Sequence, residues 1–476
     1  MSTSVRPAVA VHRWWALAVV SMAMFMGVLD STSVYAALPA IALDLGFEPA
    51  EIQWVITAYG VAIGGLLLLG GRLADYAGRR RVFMAAVGVF AAASLACGLA
   101  PSSEVLIATR VAQGIGAAVM TPAGLSILMQ VFPDGRDRNK ALGIWGGLGG
   151  TGASAGLLLG GVLTDWAGWA WIFFTNVPVC VVVLLLSVML LPESPGNRVR
   201  LDLPGAITAT GALVLLLLTL FRIAEHGTDP LVLVFGAGAA VLATAFVGVE
   251  RRSPAPLVPM RIFASRTLVG GNLIVVIAGI AVDGLLIVVT LYAQQVLGFS
   301  ALEFGLTMAI MTVTSVLGVL AGQHLVTRSG FRLVGVSGMI LLVVGCLLLS
   351  PLPAEGALVK DLLAGLVIFG VGMGAAFVAG QIAALADVHE RDSGLAAGLE
   401  ETAFAVGNTL GAGLASAIAI GFATRGAIDS PGTAALSEGL GLALLVLAGL
   451  ALFGALGAAI LLRTPRRSAV RTRPLG

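Results

Sequence analysis

Five ionisable side chains lie where the surrounding sequence is apolar. Asp30 sits in "MGVLDSTSVYAALP" (26–39), within an apolar run from Trp14 to Leu38. Asp283 lies in "GIAVDGLLIVV" (279–289), Arg110 in "IATRVAQGIGAA" (107–118), and Glu400 and Glu401 in "GLEETAFAVGNTLGAG" (398–413). An ionised group in hydrocarbon costs several kcal/mol or more, so such residues are rare and usually face a polar partner or a water-filled cavity. A low-dielectric setting penalises the charged form of a carboxyl group, which brings proton exchange within reach of neutral pH. A carboxylate there also suits a cationic cargo. Consecutive Glu400 and Glu401 point about 100° apart on a helix, so only one faces a cavity squarely; the sequence leaves open which.

Other chemistries find no support. A phosphate-cradling loop needs glycine before its lysine, and neither Lys140 nor Lys360 follows one. Work by this chain would therefore draw on an ion gradient, with protons favoured, or on the substrate's own gradient. Cys97, Cys180 and Cys346 all fall in apolar runs without metal-ligand or disulfide spacing. No metal, organic cofactor or nucleic-acid partner is expected, and the chain is read as a monomer.

The elements that carry these charges must lie in lipid. The chain is 58% hydrophobic and 11% charged, too little polar surface to coat an ordinary soluble core. Apolar stretches predict helices near 14–38, 51–71, 82–100, 104–128, 139–163, 169–191, 203–221, 230–249, 267–292, 302–326, 333–352, 360–386, 394–422 and 439–462, each long enough to span a bilayer. An even number places both termini on one side. Counted along that map, 23 Arg and Lys fall on the side of the termini and three (Arg222, Lys360, Arg425) on the other, with Arg110 inside a span. The positive-inside rule then makes the termini cytoplasmic, in a bacterial-type cytoplasmic membrane.

The sequence repeats itself at a nearly fixed offset. Arg13 and Asp30 recur as Arg266 and Asp283, and "LGF" (45–47) recurs at 297–299. "GGRLADYAGRRRV" (70–82) aligns with "GQHLVTRSGFRLV" (322–334), keeping Gly70/Gly322, Leu73/Leu325, Gly78/Gly330, Arg80/Arg332 and Val82/Val334. Duplicated halves around a central site are a common transporter plan. The expected fold is an all-α membrane protein with a six-helix bundle over 1–200, a two-helix insertion over 201–255 and a second six-helix bundle over 256–476.

These residues resemble the major facilitator superfamily, and within it the fourteen-span drug:proton antiporters. "LDSTSVYAALP" resembles the family's first-helix motif around Asp30, and "QWVITAY" (53–59) its second-helix opening. "GGRLADYAGRRRV" resembles motif A through Gly71, Asp75, Gly78, Arg79 and Arg80; "RVAQGIGAA" (110–118) resembles motif B through Arg110. "WAGWAWIFFTNVP" (166–178) resembles the sixth-helix start, with Ala170 where an arginine is common. "GASAGLLLGG" (152–161) resembles motif C through Gly152, Gly156, Gly160 and Gly161, but Leu157 replaces its usual proline. The resemblance implies proton-coupled export of amphipathic, cationic drugs, with Asp75 latching the two bundles. Narrower readings are an exporter or facilitator of a single metabolite, and a non-transport membrane enzyme or signalling protein. The residues themselves lead to three further expectations: Asp30 and Asp283 face one central cavity from opposite bundles, Arg110 couples to Asp30, and the motif C glycines allow close helix packing.

Overall fold

The computed structural model describes residues 8–48, 51–132, 136–193, 202–226, 229–253, 256, 258, 260–353, 362–386, 393–426 and 433–462. Among them there is no strand. The helices are α1 (Ala8–Leu45), α2 (Trp54–Ala77), α3 (Arg79–Gly98), α4 (Ser103–Val131), α5 (Arg136–Ala167), α6 (Ala170–Phe174), α7 (Asn176–Leu190), α8 (Leu203–His226), α9 (Pro230–Arg252), α10 (Arg266–Leu291), α11 (Ala301–Ser329), α12 (Phe331–Leu349), α13 (Leu363–Ala386), α14 (Ser393–Gly426) and α15 (Thr433–Leu461). Helices α6 and α7 form one rod interrupted at Thr175, so the fifteen helices make fourteen rods among the described residues. Eleven are long and apolar enough to span outright; α2, α5 and α8 contribute the shorter apolar stretches Trp54–Leu67, Ala155–Ala167 and Pro204–Leu216. Of the charges counted in the sequence, Arg6, Arg198, Arg200, Lys360, Arg391 and the C-terminal arginines lie outside the described residues, as do the side chains of Arg136, Arg138 and Arg425.

Helix α1 runs well past the predicted stretch at both ends and continues through Pro39. Proline removes one backbone bond, which neighbouring helices in a membrane bundle can tolerate. Helix α10 ends in a π-helical turn over Tyr292–Val296. The internal repeat is visible in the backbone itself. Gly46 and Gly298, 252 residues apart, take φ of 67° and 71°. Gly78 and Gly330, at the same offset, take 99° and 82°, each closing one helix and opening the next. Only glycine adopts these angles at little cost.

Helices α1 to α7 pack into one bundle and α10 to α15 into another. The bundles meet where α5 crosses α11 and α2 crosses α14. The α8–α9 hairpin packs against α2 and α14, touching both. Large apolar side chains such as Leu233, Val241, Leu306, Leu317 and Ile460 point outward, as expected of surfaces facing lipid. Below, the face where α1 begins and α15 ends is called the terminal face, and the other the opposite face.

Candidate functional site

The N-terminal bundle contains a sealed polar network in its apolar core. Asp30 and Arg110 are both fully buried, and Arg110 Nη1 donates to Asp30 Oδ2 at 2.8 Å. The other carboxylate oxygen accepts from Asn176 Nδ2 at 2.6 Å and Gln113 Nε2 at 3.0 Å. Arg110 also donates to Gln113 Oε1 at 2.6 Å and, through Nε, to the Val55 carbonyl at 2.9 Å. Ser94 Oγ accepts from both carboxamides, at 3.0 and 2.9 Å, and donates to the Phe173 carbonyl at 3.1 Å. Arg110 Nη2 has no hydrogen-bond partner among the described residues. Its guanidinium instead stacks 4.1 Å from the centre of the Tyr59 ring, where the electron-rich face compensates part of the charge. Helices α1, α2, α3, α4, α6 and α7 all contribute, so this network ties together every helix of the bundle except α5.

This environment corrects one sequence expectation. Asp30 does not face a water-accessible cavity in this conformation; its surface is 0% exposed and both its oxygens are engaged within one bundle. The reason is physical: a carboxylate in an apolar interior is tolerated when it is paired and hydrogen-bonded. Asp283 lies elsewhere in kind. It is partly buried at the seam between bundles, where Tyr35 Oη of α1 donates to its Oδ2 at 2.9 Å. No ion pair to Asp283 is present among the described residues. Helix α13, which occupies in the second bundle the place of α4 in the first, carries no charged residue from Leu363 to Ala386.

Glu400 is 4% exposed and its carboxylate meets the Gln381 side chain of α13. One turn further along this α13–α14 contact, within the second bundle, the rings of Phe377 and Phe404 lie 4.9 Å apart. Glu401 is partly exposed on an adjoining face of α14. The two glutamates thus divide: Glu400 is held between helices, and Glu401 is the more open.

The motif residues separate by role. Gly78 is the hinge between α2 and α3. Arg79 donates to the Ser126 carbonyl at 3.3 Å and Arg80 to the Val188 carbonyl at 2.6 Å, fastening α3 to α4 and α7. Gly71 faces Pro122 of α4. Asp75 lies in α2, but its side chain is outside the described residues. Within motif C, Gly152, Gly156 and Gly160 abut the backbone of α1; a Cβ at Gly160 would lie 2.5 Å from the Ser33 carbonyl oxygen. Gly161 turns the other way, toward the Ala301 carbonyl of α11, and a Cβ at Gly305 would come 2.7 Å from the Leu157 carbonyl. Leu157, standing where the motif has proline, is buried at this inter-bundle crossing.

Tyr35, Ser94, Gln113 and Asn176 were not singled out from sequence. Tyr35, Gln113 and Asn176 lay inside the motifs quoted above, as polar groups in apolar helices, and that polarity was the available signal. A shallow cavity of about 570 Å³ at the opposite face lies beside Asp44, whose carboxylate accepts from Trp169 Nε1 at 2.8 Å.

Two pseudo-repeated helical bundles apposed across a seam that carries Asp283 make this an all-α membrane protein built from duplicated halves. Residues 20–251 and 271–476 match the model of the Major Facilitator Superfamily, and the chain belongs to that superfamily. It is 37% identical over 428 residues to a puromycin resistance protein of Streptomyces alboniger, covering 89% of this chain and 84% of that one. A cephamycin export protein of Amycolatopsis lactamdurans is 37% identical over 83% of each chain. A lincomycin resistance protein of Streptomyces lincolnensis is 35% identical over 92% of this chain and 91% of its own. Among solved structures, an inward-facing, unoccupied bacterial homologue of the human lysosomal transporter Spinster superposes with a TM-score of 0.65 at 17% identity, covering 94% of this chain and 97% of the other.

Proposed function

We propose that this protein is a proton-coupled antiporter that exports amphipathic antibiotics or drugs, cationic ones in particular, across the cytoplasmic membrane with both termini in the cytoplasm. The observation that carries the reading is the contrast in pairing among the membrane acids. Protonating Asp30 would orphan the buried Arg110 charge, whereas Asp283, Glu400 and Glu401 have no cationic partner among the described residues. A proton or a cationic cargo can therefore neutralise the second set without stranding a counter-charge. Relatives named for puromycin, cephamycin and lincomycin support antibiotic export. Their chemical diversity supports an amphipathic class rather than one shared scaffold, and the acids support the cationic preference.

The stoichiometry sets the driving force. Exchange of one proton for one monovalent cation moves no net charge, so only the pH gradient contributes. A second proton adds about 2.3 kcal/mol per 100 mV, roughly fifty-fold in concentration. The direct experiment measures puromycin uptake into everted vesicles containing the protein, with and without a protonophore. Accumulation that collapses with the protonophore fits the proposal; accumulation unaffected by it excludes proton coupling.

A further inference from the structure

Tyr35 and Asp283 form a hydrogen bond that belongs to neither bundle alone. Tyr35 is 2% exposed on α1, five residues beyond Asp30, and its hydroxyl donates to Asp283 Oδ2 at 2.9 Å. Asp283 lies 17 residues into α10 from Arg266, about 25 Å along at 1.5 Å per residue. Nearer the opposite face, Gln294 Nε2 donates to the Ala36 carbonyl at 3.2 Å, and the Leu302 amide at the start of α11 donates to Asp165 Oδ2 at 3.1 Å. All three bonds cross between bundles on the same side of the molecule. The Tyr35–Asp283 bond is the deepest of them, and its acceptor is one of the acids available to a proton or cargo.

The surroundings leave Asp283 with little else. Helices α13 and α15 bring no charged side chain to this level. Helix α14 brings Glu400 and Glu401, but Gly284 and Ile280 of α10 stand level with Gly411, which places those glutamates about three turns nearer the terminal face. From α1 the facing titratable group is Tyr35 itself, within the field of Arg110 behind it.

We infer that Tyr35 is a gating residue that makes opening of the opposite face conditional on what occupies Asp283. While Asp283 is charged and empty, the phenol occupies it and holds α1 against α10. A hydrogen bond to a carboxylate is about twice as strong as one between neutral groups. A proton on Asp283 removes that advantage, and a cationic group bound there competes for the same oxygens. Either event releases α1 from α10 on the opposite side. The phenol thus stands in for the cargo and prevents the empty carrier from opening. The choice of cationic cargo rests on the exporter reading above; the gate itself does not.

The test uses the full chain in proteoliposomes with Ser31→Cys as reporter. Ser31 lies on the Tyr35 face of α1, one turn nearer the terminal face, and is partly exposed. The native cysteines are fully buried, so the parent without the reporter gives the blank. A membrane-impermeant maleimide is applied from the opposite face without substrate. Tyr35→Phe keeps the ring and removes the donor, and should raise the labelling rate at least several-fold. In an Asp283→Asn background, adding Tyr35→Phe should produce a much smaller increment, because the charged acceptor has already gone. Equal labelling of Tyr35→Phe and its parent overturns the proposal, as does an undiminished increment in the Asp283→Asn background. A gate that responds as expected in a protein that moves no puromycin would instead reject the exporter reading and leave the gate standing.

Discussion

Asp30 and Asp283 occupy matching positions in matching helices, yet the two bundles treat them in opposite ways. In the first, four other helices converge on the acid: Arg110 and Gln113 from α4 and Asn176 from α7 bond it directly, while Ser94 of α3 and Tyr59 of α2 hold those partners. In the second, α13 offers no cation and the acid turns outward to a tyrosine of the other bundle. Duplication thus preserved the position of the acid, while the surrounding residues converted one copy into a structural fastening and left the other available. The membrane explains why the difference is sharp: without water, a carboxylate takes either a full set of partners or a place at a seam.

Removing the cation from the sealed network should have the largest effect. Arg110→Leu strands the Asp30 carboxylate and should cost about 3–5 kcal/mol, read as loss of folded protein or a large fall in the detergent-unfolding midpoint. Combining Arg110→Gln with Asp30→Asn should recover much of that loss. An Arg110→Leu protein as stable as its parent would show that the pair does not hold the first bundle together. Asp30→Asn alone belongs in the same class. It leaves Arg110 without its counter-charge, so stability should fall with it.

A smaller loss is expected from Asn176→Leu, which removes one of the two donors to Asp30 Oδ1 and the bond to Ser94. One buried acceptor left short should cost about 1–3 kcal/mol, measured by the same unfolding midpoint, whereas Asp283→Asn should leave that midpoint nearly unchanged. Equal destabilisation by the two substitutions would erase the distinction between the acids.

Much of this architecture was legible in the sequence, for identifiable reasons. The repeat could be read because Gly46/Gly298 and Gly78/Gly330 need positive φ, a requirement that side chains cannot meet cheaply. The charged membrane residues could be read because composition makes them conspicuous. Which way each acid faces could not. Both acids lie within apolar runs, although Ser31, Thr32 and Ser33 follow Asp30, and what separates their pairing is the content of α4 and α13, brought alongside only by folding. Motif C shows the same limit. Its glycines share a spacing, but Gly160 packs inside one bundle and Gly161 across the seam.

That split gives the smallest effect in the series. Gly160→Ala should lower the unfolding midpoint, since its Cβ would press on the α1 backbone at 2.5 Å. Gly161→Ala presses equally on Ala301 of α11, also at 2.5 Å, but should chiefly speed maleimide labelling from the opposite face, because the bundles can part to relieve it. The reverse pattern would undo the assignment of the two glycines.

In the proposed antiport the exchanged proton sits on the acids of the second bundle rather than on Asp30. Adding puromycin to purified, weakly buffered protein should therefore release protons. Release is expected from the parent and from folded, substrate-binding protein carrying Asp30→Asn with Arg110→Gln. None is expected when Asp283→Asn, Glu400→Gln and Glu401→Gln are combined. Release that persists in the triple variant, or disappears in the folded Asp30→Asn and Arg110→Gln protein, would contradict that placement of the proton.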